Sequence, residues 1–299
     1  MRAETKKHGF SVFKIITAVI LGVYIICLIA PFIWGIITTF KEQLDFRYNK
    51  FGMPKEWTID NYTTVYQSFV YEYVNTTNPL LSKTFGFGGM LLNSFLYSFT
   101  VAFVGTLTIY VVAYARNVYE FKFLKILDYI VLFAMIVPIV GALPSEILIM
   151  KKLGLYESFF GMTVIAKMSF LGMYYFVVGT VIRSVPKAFA EAAEIDGASE
   201  AQVLLKIFFP LTASAFLTIF IIKFVESWND YQTPYIYLKN YPTLALGLYN
   251  AKNAGNSGIE TVGEKIAASL LVAVPSLVLF SIFSKKFMGA ISLGEGIKE

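Results

Sequence analysis

The chain has 299 residues, of which 57% are hydrophobic and 15% are charged, whereas soluble domains carry about 25% charged residues. This composition excludes an ordinary soluble domain and indicates an integral membrane protein. The net charge of +5 does not indicate nucleic-acid binding, because the basic residues lie between apolar runs rather than in one patch. Cys27 is the only cysteine and His8 the only histidine, so we predict no disulfide, no metal site and no catalytic residue.

The chain begins with a polar tail that precedes the first apolar run, and we treat residues 1–40 as tail plus first transmembrane helix. The run from Ile15 to Phe40 contains 26 residues and no charge. A signal peptide has a shorter apolar core of about 7–15 residues. We therefore predict a helix that stays in the membrane.

Apolar runs long enough to cross a bilayer, about 20 residues each, recur along the chain. We predict six of them, at Ile15–Thr39, Leu91–Ala115, Ile126–Ile147, Phe159–Ile182, Thr212–Ile236 and Ile266–Ser284. Only helices satisfy every backbone group of such runs in lipid, so the fold class is an all-α integral membrane protein. The predicted regions are an extracytoplasmic loop at 41–90, a five-helix core at 91–284 with a loop at 186–210, and a cytoplasmic tail at 285–299.

Lysine and arginine set the orientation, because they favour the cytoplasmic side. With the N-terminus inside, 13 of these residues lie in inner segments and 10 in outer segments. Five of the outer ten lie in the long 41–89 loop, and long loops weigh less in this rule. We predict that both termini and the 186–210 loop are cytoplasmic.

The outer loop contains a stretch at 70–87 for which the sequence offers no function. We interpret it as a surface elaboration of the kind that loops tolerate.

The 186–210 loop has the signals of a helix, a turn and a second helix. Residues 187–196 favour a helix, with Phe189, Ala192 and Ala193 on its apolar side, and Gly197 fits the left-handed position that ends a helix. Ser199 and Gln202 form a capping-box pattern. Pro210 predicts a break at the preceding residue, before the fifth span.

The spacing of this loop resembles the cytoplasmic coupling loop of binding-protein-dependent ABC import permeases. Six residues fit that pattern: Glu191, Ala192, Ala193, Gly197, Ile207 and Pro210. Phe209 stands where the family usually has leucine. The alternative is an amphipathic loop on lipid headgroups, but such loops usually carry large apolar residues and a basic face, and this loop is acidic and rich in alanine.

The fifth span carries polar residues that share a helical face by their spacing: Lys223, Glu226, Ser227 and Asp230, with Asn229 beside them. Charges at membrane depth usually face a bundle interior or water. Two interpretations stay open: this face lines a translocation path, or Lys223 and Glu226 pair to hold the bundle together. Trp228, Tyr231 and Tyr235 are either sugar-stacking platforms or part of an interfacial aromatic belt.

The C-terminus, at 286–290 and 294–299, is similar to the tail of the shorter maltose-type sugar permease subunit, although it ends in Glu299 where that family has glycine. The resemblance implies the type I ABC importer permease fold with six transmembrane helices and a coupling helix. It also implies a bacterial cytoplasmic membrane location, a carbohydrate substrate (an oligosaccharide) and transport by alternating access.

The resemblance further implies partners. They are a second permease subunit in a heterodimer, a cytoplasmic ABC ATPase dimer and an extracytoplasmic sugar-binding protein. The residues implied in ATPase docking are Glu191, Ala192, Ala193, Asp196, Gly197, Ile207 and Pro210. The chain has no phosphate-binding loop of the G-x-x-x-x-G-K-[ST] type, so it needs no cofactor of its own, and ATP would be bound by the partner.

Two other function classes compete. A self-sufficient secondary carrier of polar solutes would predict internal repeats and paired broken helices. An intramembrane enzyme would need convergent catalytic groups, for which the single histidine and cysteine are poor candidates. We therefore predict a non-catalytic transport subunit.

Overall fold

The computed structural model describes residues 12–75, 78–119, 121–137, 141–253 and 259–293. The first part contains α1 (Val12–Thr39), α2 (Gln43–Tyr48), α3 (Asp60–Ser68), β1 (Tyr71–Tyr73), β2 (Lys83–Phe85), α4 (Phe87–Val118), α5 (Lys125–Ile136), α6 (Leu143–Lys152) and α7 (Phe159–Thr163). The second part contains α8 (Met173–Ser184), α9 (Ala188–Ile195), α10 (Glu200–Val203), α11 (Phe209–Trp228), α12 (Gln232–Tyr237), α13 (Leu244–Asn253) and α14 (Val262–Leu293). Short 3₁₀ turns lie at Pro79–Leu81, Lys122–Leu124 and Ile165–Lys167. The predicted all-α class is confirmed, with one small hairpin added.

Four helical stretches of the described residues are long and apolar enough to cross a membrane: Val12–Thr39, Phe87–Val118, Glu200–Trp228 and Val262–Leu279. The first two contain the predicted first and second spans. The third covers the predicted fifth span only as far as Trp228, because the residues up to 236 belong to a helix cap, a turn and the separate helix α12. The predicted sixth span begins in the fourth stretch and continues within α14. α1 exposes most of its apolar side chains, as expected of a helix whose solvent is lipid.

The predictions of one continuous helix at 126–147 and another at 159–182 were wrong. The first stretch holds α5 and the start of α6, with Pro144 in the first turn of α6. The second holds α7, a 3₁₀ turn and α8, which begins after Gly172 at φ +136°. Hydropathy measures only apolar content, and it gives no weight to a proline or to a backbone angle that only glycine adopts easily.

The centre of the fold is an antiparallel pair formed by α4 and α11. Tyr114 packs on Phe208 with ring centroids 5.1 Å apart, and Phe95 packs on Phe224 at 6.3 Å. α4 therefore has two distinct ends. We call the end at Val118, which carries α9 and α10, the loop end, and the end at Phe87, which carries β1 and β2, the hairpin end.

The described residues between 70 and 87 include a small hairpin. β1 and β2 pair antiparallel with Tyr71 opposite Phe85 and Tyr73 opposite Lys83. Tyr71 is buried and belongs to the same apolar cluster as Val65 and Phe69. The interpretation of this stretch as a surface elaboration therefore needs correction, since the hairpin packs into the core at its base.

The last helix is longer than predicted. α14 runs to Leu293, so residues 285–293, which we assigned to the cytoplasmic tail, continue the last span as helix. The remaining tail residues, 294–299, and the N-terminal tail, 1–11, lie outside the described residues.

Candidate functional site

The 186–210 loop forms a helix closed by a glycine turn. α9 is followed by Gly197 at φ +80°. The Gly197 N–H donates to Glu194 O at 3.0 Å, and the Ala198 N–H donates to Ala193 O at 2.9 Å. These two bonds form a Schellman motif, which requires a left-handed residue at this position. The predicted left-handed conformation of Gly197 at the end of this helix is confirmed.

The second helix of the loop begins with the predicted capping box. The Ser199 N–H donates to Gln202 Oε1 at 2.9 Å, and the Gln202 N–H donates to Ser199 Oγ at 3.4 Å. Both donors would otherwise be unpaired at a helix start. The turn at Gly197 and this box together fix the angle between α9 and α10.

The predicted break before Pro210 was wrong. Phe209 has helical angles of φ −60° and ψ −47°, and one turn of π-helix at Leu204–Phe208 joins α10 to α11. The Phe209 N–H donates to Leu204 O, five residues back. The wider turn takes up the crowding that a proline ring causes in the preceding turn, and so the helix continues.

α9 has two apolar sides, and only one of them faces the fold. Ala190 is buried in the cluster at the loop end, and Ala193 packs against it. On the opposite side, Phe189, Ala192 and Ile195 follow each other at three-residue spacing and are exposed, Ile195 at 86%. α9 therefore presents an apolar row that the described part of the chain leaves exposed.

One hydrogen bond ties the loop to the end of α4, and a second ties α4 to α8. The Tyr119 hydroxyl, just after α4, donates to Glu200 Oε2 at 2.8 Å. Burial, followed by the hydrogen bond and charge of Glu200, raises the pKa of Tyr119, so it remains a donor at neutral pH. Arg183 Nη1, at the end of α8, donates to Asn117 Oδ1 at 2.7 Å. A displacement of the loop would therefore act on the end of α4 through Tyr119, and the bond between Arg183 and Asn117 couples α4 to α8.

A cavity of about 230 Å³ lies between these ties and α9. Glu191 and Glu194 line it together with Arg183 and Lys187. Glu191, which belongs to the motif, and Glu194, which does not, thus face a crevice inside the chain as well as solvent.

The seven predicted docking residues do not form one patch. Glu191, Ala192, Asp196, Gly197 and Pro210 are exposed, whereas Ala193 and Ile207 are partly buried and pack against the loop-end cluster. Two exposed residues outside the predicted set, Ile195 and Leu205, extend the apolar surface. The three-residue step from Ala192 to Ile195 is the sequence signal that could have identified the first of them.

The polar residues of α11 contact α8 through a tyrosine. Lys223 Nζ lies 5.5 Å from the centroid of the Tyr174 ring, and the Tyr174 hydroxyl donates to Glu226 Oε1 at 3.1 Å. Lys223 and Glu226 form no direct ion pair with each other. The pairing that we considered is therefore wrong in its simple form, since Tyr174 joins the two charges.

The other residues predicted to line the path lie in different environments and do not share one face. α11 ends at Trp228, with Asn229 as its exposed cap and Ser227 buried. Asp230 lies beyond the helix, where its carboxylate accepts from the Tyr97 hydroxyl at 2.9 Å and from the Thr233 N–H at 3.0 Å. Asp230 holds the start of α12, so it does not continue the helical face.

The three aromatic residues near the end of α11 also lie in different environments. Trp228 is 2% exposed, and its Nε1–H donates to Val272 O at 2.9 Å. Tyr231 stacks on Tyr249 with ring centroids 4.4 Å apart, and Tyr235 packs edge-on against the same ring. Trp228 is thus a core residue, neither a sugar platform nor part of an interfacial belt.

Comparisons with known proteins give one consistent group. The family described as "Binding-protein-dependent transport system inner membrane component" matches residues 105–292. The chain is 27% identical to the multiple sugar-binding transport system permease protein MsmG of Streptococcus mutans, over 92% of this chain and 94% of the relative. It is 25% identical to the trehalose/maltose transport system permease protein MalG of Thermococcus litoralis, over 98% of each.

A solved structure shares the fold. It is a bacterial ABC transporter involved in the import of the acidic polysaccharide alginate, and it matches with a TM-score of 0.74 at 20% identity. The match covers 93% of this chain and 99% of that one. The predicted importer permease fold is confirmed.

Proposed function

Because this chain belongs to the family of binding-protein-dependent transport system inner membrane components, we propose that it is the permease subunit that moves a carbohydrate, an oligosaccharide, in an ATP-driven importer. The relatives named for sugars, MsmG and MalG, align with nearly the whole chain. Their names support a carbohydrate substrate.

One observation carries the coupling part of the proposal: the exposed apolar row of Phe189, Ala192 and Ile195 on a helix that is itself fixed to the core. The chain has no ATP-binding loop, so the energy must enter from another subunit. A rigid helix with a free apolar face fits a groove of such a subunit, in the manner of helix-in-groove recognition. The bond between Glu200 and Tyr119 then transmits its movement to the end of α4, and the bond between Arg183 and Asn117 couples α4 to α8.

The partners follow from the same proposal. An ATPase dimer binds at the loop end on the cytoplasmic side, a second permease subunit completes the path, and a sugar-binding protein delivers substrate at the hairpin end. A second solved structure with this fold, a bacterial alginate ABC transporter, is in complex with an alginate pentasaccharide-bound periplasmic protein, which supports the last of these partners. Within the chain, Lys223, Tyr174 and Glu226 form the polar surface that we assign to the path, because intramembrane charges usually face a bundle interior or water.

Reconstitution tests this function. The chain is co-expressed with the ABC ATPase and permease subunits of its own gene cluster, and uptake of radiolabelled oligosaccharides into proteoliposomes is measured with and without ATP and the binding protein. We expect co-purification with the ATPase and uptake only when ATP and the binding protein are both present. Uptake by the chain alone without ATP would instead establish a secondary carrier.

Orientation is tested in the same preparation after Cys27→Ser. A reporter cysteine at position 194 should react with an impermeant maleimide only from the cytoplasmic side, and one at position 72 only from outside. The reverse pattern would remove the ATPase proposal, since the loop end would then face away from ATP.

A further inference from the structure

A second cavity, of about 480 Å³, lies at the hairpin end, far from the coupling loop. Its walls come from three separate parts of the chain: β1 and the residues after it, the end of α6 with the turn that follows, and the turn after α12. The lining residues are Tyr71, Glu72, Tyr73, Val74, Asn75, Lys151, Tyr156, Glu157 and Lys239. Its size falls within the range of about 300–1,000 Å³ that small-molecule sites occupy.

Glu157 is held in this cavity in a strained backbone conformation. Its φ is +57°, and it is the only non-glycine residue with positive φ in the described part of the chain. Its N–H donates to Tyr237 O at 3.0 Å, and its carbonyl accepts from Asn240 Nδ2 at 3.0 Å. Strain of this kind persists where surrounding contacts enforce it, and it concentrates at ligand sites.

The hairpin contributes a partner to the same residue. The Tyr73 hydroxyl donates to Glu157 Oε2 at 3.3 Å, which links β1 to the turn after α6. Burial, followed by the charge and hydrogen bond of Glu157, raises the pKa of Tyr73, so its hydroxyl stays protonated. The hairpin therefore completes a wall of the cavity, which gives the 70–87 stretch a role.

The charges of the cavity cancel. Glu72 and Glu157 oppose Lys151 and Lys239, and none of the four forms an ion pair with another charged group that the structure describes. Carboxylates accept hydrogen bonds from hydroxyls and ammonium groups donate to them, and both bonds are strengthened by the charge. Tyrosine rings add apolar faces with polar tips. Such a lining suits a neutral molecule with many hydroxyls.

We propose that this cavity binds a neutral oligosaccharide on the extracytoplasmic face, in a subsite outside the membrane path. The proposal rests on the function above for the substrate class, and it adds a site and a charge preference. Part of the incoming oligosaccharide would lie between Tyr73, Tyr156 and Glu157, with Lys239 beside it. Because the four charges of the lining cancel, the cavity would bind an acidic saccharide no more tightly than a neutral one.

The test is saturation-transfer difference NMR on the assembled transporter in nanodiscs, without the binding protein. The probes are maltotriose, arabinotriose and N,N′-diacetylchitobiose as neutral sugars, and trigalacturonate as an acidic one. We expect a signal from at least one neutral probe and none from trigalacturonate. Glu157→Gln and Lys239→Met, made separately, should each weaken binding of that probe about tenfold or more, because each removes a charge-assisted hydrogen bond. Glu56→Gln, an exposed acid outside this cavity, should leave it unchanged.

Several outcomes would overturn the proposal: no signal from any neutral probe, a stronger signal from trigalacturonate, or a signal that both cavity variants leave intact. Unchanged saccharide binding with weaker docking of the binding protein would identify the cavity as a protein contact instead. Uptake in proteoliposomes is measured on the same variants. Intact ATP-driven uptake with no saccharide signal refutes only the subsite, whereas absence of uptake in the parent refutes the proposed function.

Discussion

Replacing Gly197 by valine should disconnect the coupling loop without unfolding the chain. The residue has φ +80°, and a Cβ added there would meet no atom within 4 Å. The cost of a side chain is therefore conformational rather than steric contact with neighbours. A non-glycine residue in the left-handed region costs about 1–2 kcal/mol, and a β-branched one is especially disfavoured there.

The chain can absorb this cost in two ways, and both disturb α9. If the left-handed turn is kept, it is destabilised by this cost. The population of loops that keep the turn then falls roughly 5- to 30-fold relative to loops that lose it. If the backbone moves to negative φ, the bonds from Gly197 to Glu194 and from Ala198 to Ala193 are lost, each worth about 0.5–1.5 kcal/mol. In either case Ile195 and the rest of the apolar row no longer hold one orientation.

The assay is ATP-driven uptake and ATP hydrolysis in proteoliposomes that contain the complete transporter. Gly197→Val should insert normally and lose most of its uptake per ATP hydrolysed. Gly197→Asn is the matched control, because asparagine tolerates the left-handed conformation best among the other residues, and it should retain most of the coupling. Equal uptake by the valine variant, the asparagine variant and the parent would refute the role of the turn.

Three other substitutions test separate parts of the structure. Ile195→Ser should weaken the binding of the ATPase by about 1–2 kcal/mol, which is measured as reduced co-purification. It should leave thermal stability unchanged, because the side chain is 86% exposed. Arg116→Met should lower thermal stability by about 1–2 kcal/mol, since Arg116 Nη2 binds Asp128 Oδ2 at 2.7 Å in a half-buried site. Lys223→Met and Glu226→Gln should each reduce uptake with normal assembly, and their combined effect in the double mutant should be smaller than the sum of the single effects, because both groups contact Tyr174.

Each of these has a control and a contrary result. Leu153→Ser, 64% exposed at the hairpin end, should not affect the ATPase, and an equal loss there would make the Ile195 effect unspecific. Asp128→Asn combined with Arg116→Met should recover part of the lost stability, because it removes the unpaired charge. Recovery of assembly or uptake in the Lys223 and Glu226 double mutant would show that these residues pair after all.

The sequence determined the features that depend on local physical chemistry. Apolar runs required membrane helices, and the order of Ala193, Gly197, Ser199 and Gln202 required a helix end, a left-handed turn and a capped start. These signals are strong because each involves residues a few positions apart, and their hydrogen bonds close within the same segment. The family spacing of the loop was readable for the same reason.

Only the tertiary structure decided which groups meet across the chain. Three contacts show this: Tyr174 lies between Lys223 and Glu226, Tyr97 binds Asp230, and Tyr73 binds Glu157. They join residues between 49 and 133 positions apart. Helical spacing placed Lys223, Glu226 and Asp230 on one face, but it could not show that α11 ends at Trp228.

The same limit applies to exposure. Periodicity marks the apolar residues of α9, but it does not show that Ala190 faces the core while Ile195 faces outward. That distinction depends on where α4, α8 and α11 lie around the loop. The strained Glu157 and the cavity at the hairpin end likewise exist only because three distant segments converge, and a backbone conformation enforced by distant contacts leaves no local signal in the sequence.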